Sequence, residues 1–237
     1  MTTTEAQKTL DKIVKQVFDL PNPLQLDQFM QKFAFDIRLP QPVTDVVDNT
    51  TTWTQSTNPV RFVSLENASN LDIGGIRADS DYLRPKRDLE SIEDVINAWN
   101  EINIITTERY MDSINASQSD NIYSCENIYR SQDIHRSKNI IFCNGLTNSE
   151  FLAACQRVEG LTFCIRAEDS DSCNNCFNVS FSRNLINCFF VHNASDMQDS
   201  MFCNNISSKR FCIANMQYTE DEYMKIKKLV AHWILNE

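Results

Sequence analysis

The sequence predicts a mainly β protein: a parallel β-solenoid of about 12 residues per coil, preceded by an N-terminal α/loop region and followed by a C-terminal capping helix. Three observations predict it. Stepping by threes from Ser113, 32 consecutive positions ending at Ile206 are drawn only from Ser, Ala, Cys, Val, Ile, Leu and Met. A helix of about 3.6 residues per turn or a strand of period about 2 does not hold one face at period three, so short straight segments must alternate with corners. Second, the residue after every second inward site gives the apolar column Tyr129, Ile141, Ala153, Ile165, Phe177, Phe189, Met201 and Ile213. The intervening column, Tyr123, His135, Thr147, Glu159, Asp171, Arg183, Ser195 and Ser207, is almost wholly polar. A coil of about 18 residues would mix the two sets, whereas about 12 keeps them apart; eight or so coils at about 4.8 Å each give a rod of about 40 Å. Third, all six prolines lie at or before Pro85 and all nine cysteines between Cys125 and Cys212, so two differently built regions meet near residue 105. The predicted divisions are 1–105, helical and extended; 106–216, solenoid; and 217–237, capping helix.

In chain order, Thr4 and Gln7 read as a capping box ahead of Leu10, Ile13, Val14, Val17 and Phe18 at helical spacing, with Pro21 and Pro23 ending the helix. A second short helix carries Leu26, Phe29, Met30 and Phe33. Residues 36–87, rich in Thr, Asn, Ser and Pro, predict loops with short strands around Trp53 and from Val60 to Leu65. A helix from Ser91 to Glu101 shows Val95, Ile96 and Trp99 on one face and leads into the repeat. Within the repeat, Ile, Leu or Val alternates with Ser or Cys from Ile122 to Val158, and the order then inverts, which suits a rod with room for a large residue only opposite a small one. Asn115, Asn121, Asn127, Asn139, Asn175, Asn187, Asn193 and Asn205 each precede an inward site, and their tolerance of left-handed backbone assigns them to corners where their amides stack. An open terminus would template aggregation. Thr219 and Glu222 form a second capping box ahead of Tyr223, Ile226, Leu229, Val230, Trp233 and Ile234, the natural cap.

Composition narrows function. A formal charge of −10 and a pI near 4.8 disfavour a nucleic-acid partner, because phosphate binding relies on Lys and Arg. No run approaches about 18 apolar residues, so no membrane span is expected, and MTTTEAQKTLDK lacks the regions of an export signal. Cys173-x-x-Cys176, with Cys164 or Cys188 nearby, invites a metal, yet all nine cysteines fall on the inward register where Cys packs as a small apolar residue. Buried thiols, no metal and no cofactor are therefore expected. No two cysteines are six apart, the spacing that cross-braces narrow solenoids of the insect-antifreeze kind, and the repeat holds only Thr147 and Thr162, too few for an ice-binding array. His135 and His192 fall on outward-facing sites, which argues against hexapeptide acyl transfer. Glu168, Asp169 and Asp171, with Asp196 and Asp199 further on, read as an acidic solvated edge before they read as a calcium or sugar site. No catalytic constellation emerges. The informative surface is an apolar strip, Phe151, Phe163, Ile165, Phe177, Phe189, Phe190, Met201, Phe202, Phe211 and Ile213. So large a patch does not stay wet: either the chain's own helices lie across it, or it is a homo-oligomer or docking face.

The segment Lys209-Arg-Phe-Cys-Ile-Ala-Asn-Met-Gln-Tyr-Thr-Glu-Asp-Glu-Tyr223 resembles the terminus of Cys/Asn-rich repeat proteins of tailed phages and uncultivated bacteria, in which N-x-x-C repeats close with Y-C-I-x-N-x-x-Y-T-x-E-x-Y. The resemblance covers about residues 120 to 225 and departs from the pattern at Ala214, at Met216 and in having fewer Cys per coil. It implies the solenoid and a place among phage virion proteins, and it carries no activity. The expected function is thus a non-enzymatic structural or adaptor protein of a virion assembled in the host cytoplasm, either a capsid decoration (cement) protein or a head–tail adaptor. Its expected partners are viral shell or adaptor proteins, or copies of itself. The alternatives are a carbohydrate- or receptor-binding solenoid and a metal-binding regulator, and outside a virion the chain is expected in the cytoplasm.

Overall fold

The computed structural model describes residues 1–58, 60–68, 84–159, 161–168, 174–180 and 185–237. The chain opens with helices α1 (Thr3–Phe18) and α2 (Leu26–Phe33), followed by strands β1 (Gln41–Thr44), β2 (Thr51–Thr54) and β3 (Arg61–Ser64), helix α3 (Ile92–Asn100) and strand β4 (Ile104–Thr107). The solenoid follows as β5 (Tyr110–Met111), β6 (Ile114–Ser117), β7 (Asp120–Tyr123), β8 (Glu126–Tyr129), β9 (Gln132–His135), β10 (Lys138–Ile141) and β11 (Asn144–Thr147). It continues through β12 (Glu150–Ala153), β13 (Gln156–Glu159), β14 (Thr162–Glu168), β15 (Asn174–Ser180), β16 (Gln198–Met201) and β17 (Arg210–Ile213), and ends with β18 (Met216–Gln217) and helix α4 (Glu220–Asn236).

The coil is 12 residues, as the sequence predicts: Ile128 pairs with Ile140 and Ile140 with Leu152 in parallel register on one side. Ile122, Ile134, Leu146 and Val158 do the same on the other. The strands accordingly sort into two parallel sheets, β6-β8-β10-β12-β14-β15 and β5-β7-β9-β11-β13. Side chains at every third position fill the interior, with Ile122, Ile128, Ile134, Ile140, Leu146 and Leu152 wholly buried. The residue before each inward site takes left-handed backbone at almost every step, for example Asn115, Gln118, Asn121, Ser124 and Asn127 with φ of 58°, 50°, 60°, 54° and 59°. Four such residues per coil give it four sides, two of them strands and two connectors. Some of the asparagines expected at corners therefore lie inside strands, as the second residue of β6, β7, β8 and β10. Their amides do stack: Asn115 Nδ2 donates to Asn127 Oδ1 at 2.8 Å and Asn127 Nδ2 to Asn139 Oδ1 at 2.9 Å.

Inward Ser and Cys on the connector sides do more than save space. Ser131 Oγ donates to the Tyr129 carbonyl and accepts the Cys143 N–H, whose own Sγ donates to Ile141 O and accepts the Cys155 N–H. The opposite connector repeats the device through Ser113, Cys125, Ser137 and Ser149. Each of these side chains satisfies a buried backbone N–H one rung up, a group that would otherwise be costly to bury. From Leu185 onward the large and small sites exchange sides, as the sequence predicts, and the bridge moves with the small residues: Ser200 Oγ accepts the Cys212 N–H and donates to Gln198 O.

The N-terminal helix starts two residues earlier than expected. Thr2, not Thr4, is the cap, exchanging hydrogen bonds with Glu5, whose carboxylate is a stronger acceptor than an amide at a helix N-terminus. Gln7 instead holds the turn into α2 through Leu24 O and Leu26 N–H. The buried stripe of α1, Leu10, Ile13, Val14, Val17 and Phe18, lies along the solenoid flank from β8 to β15. Ser117 Oγ donates to Met1 O at 2.6 Å, fixing the start of α1 to the first coils.

The two ends are finished differently. At the start, β4 pairs in parallel with β3, and Arg109 grips the fully buried Asp120 carboxylate with two hydrogen bonds of 3.0 and 3.1 Å. At the far end, Ala214 and Asn215 both adopt left-handed backbone, the chain reverses, and β18 pairs antiparallel on β17 where the next rung would lie. The C-terminal helix is capped by Thr219 and Glu222 as predicted, and it covers the last coils from the flank, with Tyr223 against Phe211 at 5.6 Å between ring centres.

The rung-bridging role of the small inward residues predicts a specific ranking. Ser131→Ala strands the Cys143 N–H and lowers stability in urea unfolding by about 1–3 kcal/mol, whereas Ser131→Cys, which keeps an acceptor of the kind already used at position 143, loses markedly less. Equal losses for the two variants would refute the bridge.

Candidate functional site

The ten residues of the predicted apolar strip divide into distinct groups. Ile165, Phe189, Met201 and Ile213 are buried in a core shared with α1 and α4, so the chain's own helices cover the centre of the strip. Phe190 and Phe211 are partly buried against the same core, and Phe190 stacks on Phe202, which stays 41% exposed. Phe177 lies one rung from Ile165 in backbone register. Phe151 and Phe163 remain open to a gap between the two helices.

That gap is a groove of about 590 Å³. Its floor is the Phe151 and Phe163 rings, stacked one coil apart at 5.1 Å between centres, with Phe18 and Met224 beside them. Its walls are cationic: α1 contributes Lys12 and Lys15, three residues apart on one helix face, and α4 contributes Lys227 and Lys228. Asp19, the left-handed C-cap of α1, and Gln16 complete the lining. The Lys227 ammonium sits 5.3 Å from the centre of the Phe189 ring, and burial holds it below the ordinary lysine range. None of the four lysines takes part in the ion pairs found among the described residues.

A second surface lies on α3. The helix starts with a Ser91–Asp94 capping box, and its face of Ile92, Val95, Ile96 and Trp99 points to solvent, with Ile92 75% and Trp99 50% exposed. Only Ala98 is buried on this helix, and Glu101 at its end is held by Arg84 and Arg87 at 2.5 and 2.9 Å. The sequence shows the apolar face, and the structure leaves it exposed.

The cysteines behave as predicted where they are described: Cys125, Cys143, Cys155, Cys188, Cys203 and Cys212 are buried thiols. Burial pushes Cys143 well above its ordinary range, which keeps it protonated as a donor to Ile141 O. Cys173 and the acidic residues Asp169 and Asp171 lie outside the described residues. Among the described residues, no three His, Cys, Asp or Glu side chains come together as a metal would require. Asp199 is tied to Asn187 and Arg210. His135 stacks on Tyr123 at 5.0 Å beside a shallow hollow that also takes in Arg136 and Thr147. No helix among the described residues is long and apolar enough to cross a membrane. At the first coil, Glu108 accepts from Tyr110 and Thr52, and burial raises both the Glu108 carboxyl and the Tyr110 phenol. This buried polar knot joins β2 to the solenoid. The lysine groove was missed in the sequence because its four cations come from opposite ends of the chain.

The chain matches no protein-family model, no curated protein and no solved structure.

The position of Lys227 sets a pH dependence. Its folded pKa lies below its unfolded one, so between the two the unfolded chain holds the extra proton and stability rises with pH. Lys227→Met, which keeps an apolar stem over Phe189, is expected to raise the urea midpoint at neutral pH. That advantage should shrink to nothing as pH climbs through the lysine range, and a difference that is constant with pH would contradict the assignment.

Proposed function

We propose that the chain is a non-enzymatic structural protein, a stiff spacer that joins protein components of a phage particle as a decoration or head–tail adaptor protein, and that α3 is its docking element. The observation that carries the reading is the exposed apolar face of α3. A helix offering Ile92, Val95, Ile96 and Trp99 at helical spacing has the form by which amphipathic helices enter a partner's groove. Tryptophan is among the residue types enriched at the energetic anchors of interfaces. Leaving these side chains in water gains nothing for the isolated chain, while the centre of the strip along the solenoid is covered by α1 and α4.

Two further features support the reading. The rod is tied rung to rung by strand hydrogen bonds, by Ser and Cys bridges and by Asn stacks, which suits a part that holds two others at a fixed distance. The resemblance of residues 209–223 to phage repeat proteins supports the placement in a virion. The formal charge of −10 favours protein over nucleic acid as partner.

The test is incorporation into particles. In purified virions of the phage that encodes it, the wild-type chain is expected at a fixed copy number by quantitative mass spectrometry. Trp99→Glu should fold with unchanged thermal stability and fall in occupancy by about 30-fold or more, the loss of an anchor worth about 2 kcal/mol. Absence of the wild-type chain from particles would overturn the placement, and full incorporation of the variant would overturn the role of α3.

A further inference from the structure

The groove and α3 are complementary to one another. The helix pairs an apolar face with exposed carboxylates at Asp88, Glu90 and Glu93, and Lys86 is the single cation between residues 84 and 101 that Glu101 does not hold. The groove pairs an aromatic floor with four lysines against the one carboxylate of Asp19. Each surface thus offers what the other lacks, both in shape and in sign, and the groove is a cationic exception on a chain of net charge −10.

We infer that the occupant of the groove is α3 of a second copy of this chain. The Trp99 ring enters over Phe151 and Phe163, and the carboxylates at the start of α3 meet Lys12, Lys15 and Lys228. The inference rests on the reading of α3 as a docking helix and names its partner. The contact runs between copies, because α3 precedes the first coil while Phe151 and Phe163 stand three and four coils beyond Asn115 in the same column. At about 4.8 Å per rung that is on the order of 14–19 Å along the rod. Two different patches meet, so the association is head to tail: a pair still offers one free helix at one end and one free groove at the other, so addition continues and the product is a ring or a filament. Repulsion between acidic surfaces elsewhere disfavours other orientations, which gives the contact its specificity.

Sedimentation velocity at low salt tests this with two variants that leave buried residues untouched, Trp99→Glu on the helix and Lys12→Glu/Lys15→Glu in the groove, both on exposed side chains. Wild-type protein is expected to grow in mass with concentration and to dissociate as salt rises. Each variant alone should be monomeric, with Trp99→Glu weakening association by about 30-fold or more. An equimolar mixture of the two variants should stop at a one-to-one dimer, since it holds one intact helix and one intact groove. Wild-type protein that stays monomeric, or a mixture that fails to pair, overturns the inference. If Trp99→Glu is lost from particles while the wild-type chain remains monomeric in solution, α3 docks on another protein and the functional reading survives alone. If Trp99→Glu changes neither incorporation nor sedimentation, both fall.

Discussion

A coil of 12 residues depends on how the backbone finds partners between rungs at the sides that are not strands. On the strand sides the N–H and C=O groups pair directly with the coil above and below. On the connector sides of the coils from Ser113 to Leu161 an inward hydroxyl or thiol completes the ladder: Ser131 takes the Cys143 N–H and Cys143 takes the Cys155 N–H. The side chain must be short enough to fit opposite an Ile, must accept from a backbone N–H, and must donate to the carbonyl two residues back. Ser and Cys meet all three conditions, and Ala meets only the first. This constraint accounts for cysteine at positions 125 and 143, which accept the Ser137 and Cys155 N–H groups, and the elevation of the Cys143 thiol by burial keeps its proton in place for donation.

The rest of the architecture follows from that stacking. Because every coil repeats in register, a residue type placed at an outward site becomes a column: asparagines become an amide stack, and Tyr129, Ile141, Ala153 and Ile165 become a continuous apolar flank. The exchange of large and small inward residues after Leu185 leaves this flank intact, since Phe189, Met201 and Ile213 continue it in the same outward column. A flat apolar flank then recruits amphipathic helices, α1 from the start of the chain and α4 from its end, each of which adds buried side chains worth about 1.5–3 kcal/mol apiece. The groove arises where the two helices fail to meet over Phe151 and Phe163.

Local periodicity made most of this legible in the sequence. The three-residue register, the coil length, the inversion, the Asn stacks and the Thr219 cap each leave a pattern that can be read residue by residue. Reading failed where a three-dimensional competition decides. Thr2 and Thr4 both precede suitable partners, and the stronger carboxylate of Glu5 selects Thr2. The hydrogen-bonding task of the inward Ser and Cys was hidden because their size alone explained their positions. Whether the apolar strip was covered depended on the course of two helices, and the exposure of Trp99 depended on where α3 comes to rest. No one-dimensional pattern records either.

An open parallel sheet stack is at risk of adding strands from other copies without limit, and this chain counters the risk at its far end. There β18 reverses onto β17 and occupies the pairing site of the next rung. A net charge of −10 adds general repulsion between copies. With edge-on growth opposed in these two ways, association is left to side-chain contacts, where composition sets strength and geometry sets number. A helix that combines an apolar face with carboxylates, and a groove that combines an aromatic floor with lysines, are surfaces that survive such repulsion, because their local charges are opposed while the global charges are alike. The physics that protects the rod from indiscriminate stacking thus leaves small, oriented, salt-sensitive side-chain contacts as the form of association that strand addition does not preempt.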